Sequence, residues 1–278
     1  MARMLASNNT GSSGFLLNSN PIIRKLSKVE ETDAENSCTY SGIQTKLIYF
    51  MVMIFVGILL NALMAGRWGG ETYVLKEQGI VFTTHEAIAV VIAALTLIVS
   101  PILATLIRIT IPVTGALFCA STGFVVAWAG TAFGKEYAQT IWLALILTAI
   151  VVMVMGFLYW TGKVQITKKL RTMLMVLILS SIGGSLVTGI LALIPATRGF
   201  VAGLAENATL NIAASVIMVV VAALFLLVDF DEIKRSVDED LPKKYEWSAA
   251  FGLAFGVIWL FFKILELLGK LKGSKSNN

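Results

Sequence analysis

Uncharged apolar windows recur along the chain at spacings that suit membrane spans. Seven stand out: 47–66, 87–107, 112–133, 140–160, 172–194, 211–228 and 247–269. A bilayer core takes about 20 residues of helix at ~1.5 Å each, and each window with its flanks reaches that length. The pattern predicts an all-α, polytopic membrane protein with seven transmembrane helices. Pro101 falls inside the second window, where neighbouring helices can satisfy the carbonyl it frees. Windows two and three are separated only by residues 108–111, too few for more than a tight turn. Ahead of the spans, residues 1–45 read as a largely disordered cytoplasmic tail. Pro21 to Val29 is either a short amphipathic element at the membrane surface or more of the same tail. Residues 46–269 form the span domain, and 270–278 a short basic tail. The polar N-terminus lacks the apolar core of a signal peptide.

Composition agrees with the pattern. The chain of 278 residues is 57% hydrophobic and only 14% charged, against about 25% charged in soluble domains. Mean hydropathy is +0.82. The net charge of +5 bears on loop orientation rather than nucleic acid, for which no binding pattern is present. With the N-terminus inside, the inner pieces carry 14 Lys and Arg and the outer pieces 7, so an N-inside topology in the cell membrane is expected. Three lysines after residue 269 dissent from it, and a re-entrant last segment would remove the conflict. Cys38 and Cys119 lie too far apart in sequence and setting to suggest a disulfide framework.

Small residues recur every four positions at Gly115, Cys119, Gly123 and Ala127, at Ser180, Gly184 and Thr188, and at Gly252 and Gly256. Such stripes let helix backbones approach closely in lipid, either within the bundle or at a homodimer face. Tyr159, Trp160, Trp68 and Trp247 stand at window ends, as interfacial aromatics do.

An ionisable residue within a span costs ~2.5 kcal/mol or more, which makes it a functional candidate. His85 and Glu86 open the second window and read as interfacial. Lys263 and Glu266, three residues apart, can pair on one helix face and snorkel outward. Asp229 and Asp231 differ. Asp229 follows seventeen uncharged residues, 212–228, at the expected end of the sixth helix, where the dipole favours a cation instead. If Asp229 faces the bundle, it can titrate in a physiological range and bind a hard cation such as calcium. A hairpin folding back near Asp240 sets Phe251 and Phe255 level with Asp229. Lys263, twelve residues beyond Phe251, is ~18 Å too high. Arg108 closes the second span on the same side, so an Arg108–Asp229 latch is expected. With a single histidine, no nucleophile elbow and no paired metal-ligand motif, the chain is expected neither to be an enzyme nor to need a cofactor.

The stretches LFLLVDFDEI at 224–233, PKKYEW at 242–247 and WLFFKILELL at 259–268 resemble the bacterial branch of the Bax inhibitor/YccA-type family. SNPIIRKLSK at 19–28 and YWTGKVQITKKLR at 159–171 are similar to the same branch. The resemblance implies a bundle around a central sixth or seventh helix. It also implies a pH-sensitive calcium leak pathway or, as in some bacterial relatives, a modulator of a membrane-bound ATP-dependent protease. The family's gate pairs an acid late in helix six with one in helix seven. Asp229 fits the first place. The second is empty of acid, with Phe255 near it and Lys263 where the branch often carries one. Phe118 or Cys119 replaces a helix-three acid.

Overall fold

The structure, a computed structural model, describes residues 36–65, 67, 72–75, 80–164, 166–195, 197–199, 203 and 207–276. Of the disordered tail expected over 1–45, residues 1–35, with the element at 21–29, lie outside these, as does Trp68; the tail's last residues are ordered instead, with Thr39 capping a helix that begins at Tyr40. Among the described residues seven helices are long and apolar enough to cross a membrane. They are α1 (Tyr40–Met64), α2 (Thr84–Leu106), α3 (Ile111–Ala132), α4 (Gly134–Trp160), α5 (Lys168–Leu193), α6 (Ala208–Asp238) and α7 (Tyr245–Ser276). All seven expected spans are present, and the protein is a multi-pass membrane protein. Most helices overrun their apolar windows by a turn or more, because a helix continues into water after its sequence turns polar. The sixth does so most, running from a window that ends at 228 on to Asp238, and α7 includes the segment 270–276 that was expected to be a tail. A two-stranded antiparallel hairpin, β1 (Thr72–Leu75) and β2 (Ile80–Thr83), joins α1 to α2, and hydropathy did not signal it.

Local chemistry explains the helix ends. Thr83 and Glu86 form a reciprocal capping box at the start of α2. Thr39, Thr167 and Asn207 each accept a backbone N–H through their side chains at the starts of α1, α5 and α6. A single 3-10 turn, Arg108–Thr110, links α2 to α3, as the short spacing required. The α6–α7 hairpin turns at Asp240, whose φ of 50° is one that Asp tolerates better than most residues.

Close approach through small residues organises the bundle. A Cβ on Gly57 would strike the Ala120 carbonyl, and one on Gly123 the Ile54 carbonyl, so α1 and α3 touch backbone to backbone. Gly115 admits Phe50 and Phe251. These stripes serve packing within the chain. Among the described residues nothing lies within 4 Å of a Cβ added at Gly184, so they leave the α5 stripe uncovered there. Helix α7 is the most enclosed element together with α3. Its apolar neighbours form two clusters, one around Phe50, Phe118 and Phe251, the other around Leu226, Leu260 and Phe261. Helix α5 is the outlier: its buried anchor is Leu174, held against Val221 and Val228 of α6.

Candidate functional site

Asp229 does not end α6. The helix runs nine residues further, to Asp238, so Asp229 lies away from the negative pole assumed from sequence. The segment Asp229–Asp238 stays helical through its charges, and Arg235 near its end pairs one turn on with Glu239 at 3.0 Å. Asp229 is 8% exposed and faces α7. Its Oδ1 is 3.7 Å from where a Cβ on Gly252 would stand, and its Oδ2 occupies the space a Cβ on Gly256 would need. The hairpin count from Asp240 therefore found the right level on α7 to within one residue. Two glycines face the acid there, and the phenylalanines expected beside it turn to Phe118 instead. Asp229 Oδ2 is buried without a hydrogen-bond partner among the described residues.

The expected latch is not made. Arg108 is exposed and turns to Tyr245, stacking at 5.5 Å from the ring centroid and donating to its hydroxyl at 3.4 Å. The first residue of α7 thus competes for the guanidinium, and spacing along the chain did not reveal that competitor. Asp231, the next candidate, points off the α7 face. It accepts Arg171 at 3.1 Å and the Tyr159 hydroxyl at 3.4 Å. Arg171 also reaches Glu232 at 3.2 Å, so one side chain of α5 bridges two acids of α6.

A cleft of about 390 Å³ opens beside this region. Arg108, Thr105, Tyr245, Ser248 and Glu232 give it a polar rim, and Pro101, Ala104, Ile111, Phe251 and Phe255 its apolar wall. Gly252 lines it too, which places Asp229 directly behind the wall. Above Asp229, the buried side chains Leu226, Leu260 and Phe261 close the α6–α7 seam. Among the described residues no cluster of three or more His, Cys, Asp or Glu is placed to hold a metal ion.

Sequence reading missed a second buried acid. Glu246, fully buried in the first turn of α7, pairs with Lys46 of α1. It also accepts the Thr39 backbone N–H at 3.0 Å and the Thr39 hydroxyl at 3.1 Å. A Cβ on Gly42 would collide with this carboxylate. The backbone ahead of α1 reinforces the junction: Cys38 N–H donates to Leu241 O at 2.7 Å and Lys243 N–H to Asn36 O at 2.6 Å. Glu246 lies in PKKYEW, outside any apolar run, so its sequence reads as loop. Burial and the charge of Glu246 push the Cys38 thiol up to about 11. At the far end of α7, Glu266 bridges Lys263 at 2.9 Å and Lys270 at 2.7 Å, the local pairing expected for Lys263.

Seven spans, with a buried carboxylate at the α6–α7 contact whose Oδ2 has no partner among the described residues, define a multi-pass helical membrane protein with a polar site inside its bundle. The family model described as Bax inhibitor 1 like matches residues 20–273, and the chain belongs to that family. Comparison with curated proteins and with solved structures produced no match.

Proposed function

We propose that this protein is a pH-sensitive leak pathway for calcium or other cations, gated by Asp229 near the cytoplasmic end of α6. The observation that carries the reading is the orphaned Oδ2 of Asp229, buried behind a cleft. A buried polar atom without a partner costs ~1–3 kcal/mol, more when charged, and such groups persist mainly where function needs them. On this reading the apolar seam of Leu226, Leu260 and Phe261 would be the barrier of a closed form. Opening would part α6 from α7 at that seam. Around Asp229 the charged and titratable groups are Glu232 on its own helix, Arg108 and Tyr245 across the cleft, and none on α7 at the level of Gly252 and Gly256. Proton uptake by Asp229 itself would therefore set the pH response. No catalysis is part of this reading.

One observation favours a second reading. Helix α7 sets Gly252, Phe255 and Gly256 where a gate of two carboxylates would need an acid. A non-transporting regulator, binding a membrane-bound protease or a stress-response partner, has no need of that acid. Calcium flux into liposomes holding the full-length protein, measured from pH 6 to 8, separates the two. Flux that responds to pH and collapses in Asp229→Asn supports the leak. Absence of flux from folded, correctly inserted protein removes it and leaves the regulator.

A further inference from the structure

The cleft has a charge character that the leak reading does not use. Two cations flank one ring of its lining: Arg108, itself a lining residue, 5.5 Å from the Tyr245 centroid, and Lys244, which precedes Tyr245 in the chain, 5.8 Å from it. Among the described residues neither has a carboxylate within ion-pair distance. The one acid on the rim, Glu232, is already held by Arg171 at 3.2 Å. Asp229 is buried and not part of the lining, with Gly252 between it and the cleft. Arg108 and Lys244 outnumber the rim acid Glu232, which leaves this end of the cleft net positive, with the hydroxyls of Tyr245 and Ser248 beside it. Tyr245 accepts from Arg108, so its own proton is free to be donated to an incoming anion. Beneath the rim the wall is apolar, built from Pro101, Ala104, Phe251 and Phe255.

The site also sits at a depth where lipid headgroups are found. Tyr49 and Trp247, rings 5.5 Å apart, mark the same end of the bundle, and Tyr49 donates to Pro112 O at 3.3 Å just past the α2–α3 turn. Aromatic side chains with one polar end collect at the membrane interface. Basic pockets between spans at that level suit anionic headgroups.

We propose that the cleft between α2 and α7 is a binding site for an anionic phospholipid, its phosphate held by Arg108, Lys244 and Tyr245 and part of an acyl chain against Phe251 and Phe255. Charge and apolar wall together select an amphiphile over a free anion: phosphate alone would leave the wall unused, and a neutral lipid would leave the cations unused. The site exists whether or not ions pass the bundle, and its test reads binding alone.

The test titrates detergent-purified full-length protein with short-chain phosphatidylglycerol, short-chain phosphatidylcholine and inorganic phosphate, reading bound ligand by native mass spectrometry and the thermal midpoint. Phosphatidylglycerol should bind at least about tenfold more tightly than phosphatidylcholine, the ratio expected for one charge-assisted contact. Arg108→Gln should erase that preference, and Arg108→Lys should keep part of it. Thr105→Trp, which fills the cleft from its exposed side and spares the cations, should lower affinity for phosphatidylglycerol and leave phosphate binding as it was. Should Arg108→Gln not fold, Lys244→Gln and Thr105→Trp carry the test. Equal affinity for the two lipids, binding of phosphate as tight as that of phosphatidylglycerol, or indifference to both Arg108→Gln and Thr105→Trp overturns the proposal.

Discussion

The carboxylate of Asp229 fills the notch that Gly256 leaves in α7. Adding a Cβ at Gly256 drives it into Oδ2, with Leu226 Cδ2 only 3.3 Å from the same point. At Gly252, one turn away, the closest atom is Oδ1 at an ordinary 3.7 Å. Gly256→Ala should therefore cost ~1–3 kcal/mol through overpacking, while Gly252→Ala should be nearly neutral or slightly stabilising in this helical position. Thermal unfolding of the two variants in the same detergent checks the contrast; equal midpoints would show that the seam relaxes freely.

Asp229→Asn keeps the shape of the side chain and removes its capacity for charge. A buried, unpaired carboxyl contributes nothing to packing that the amide lacks. Stability should be unchanged or higher, and any pH dependence of calcium flux should flatten. A lowered unfolding midpoint for Asp229→Asn would reveal a hidden partner for the acid.

Glu246 and Lys46 hold α7 against α1 in a buried pair. Losing one member leaves the other largely buried without its counter-charge, at ~3–5 kcal/mol, whereas replacing both by apolar groups is far cheaper. Glu246→Ala should be the more damaging single change, because it also strands the Thr39 backbone N–H. Lys46→Met with Glu246→Leu should recover most of the loss. A double-mutant cycle on unfolding free energies measures the coupling, and additive losses would contradict it.

Arg171 ties the start of α5 to Asp231 and Glu232, all partly exposed. Half-exposed pairs are worth at most ~1 kcal/mol each, so Arg171→Gln should leave global stability almost intact. Its effect should be local, since Leu174 becomes the main remaining anchor of α5. Limited proteolysis of the α4–α5 loop should quicken in this variant while the rest of the bundle resists.

Cys38 offers a pH signature. Its folded thiol titrates near 11 against 9.0 for the ordinary group. The unfolded chain loses this proton first as pH rises, so the folded state binds more protons between those values. Stability should fall as pH climbs from about 9 to 11, by an amount that Cys38→Ser removes. Alkylation of Cys38 at pH 8 should be slow in the folded protein and rapid once it is denatured.

The seven spans, the tight Arg108–Thr110 turn, the fold-back at Asp240 and the level of Asp229 on α7 were legible in the chain, because each depends on length and on where charge interrupts hydropathy. The facing of each helix was not. A span that is apolar all round has no wet side, so its pattern carries no record of its rotation. Only the assembled bundle turned Asp229 onto Gly256, gave Arg108 to Tyr245, and hid Glu246 beneath Thr39 and Lys46. Those pairings arise from residues up to 207 apart in sequence, and side chains so far apart become neighbours only when the helices pack.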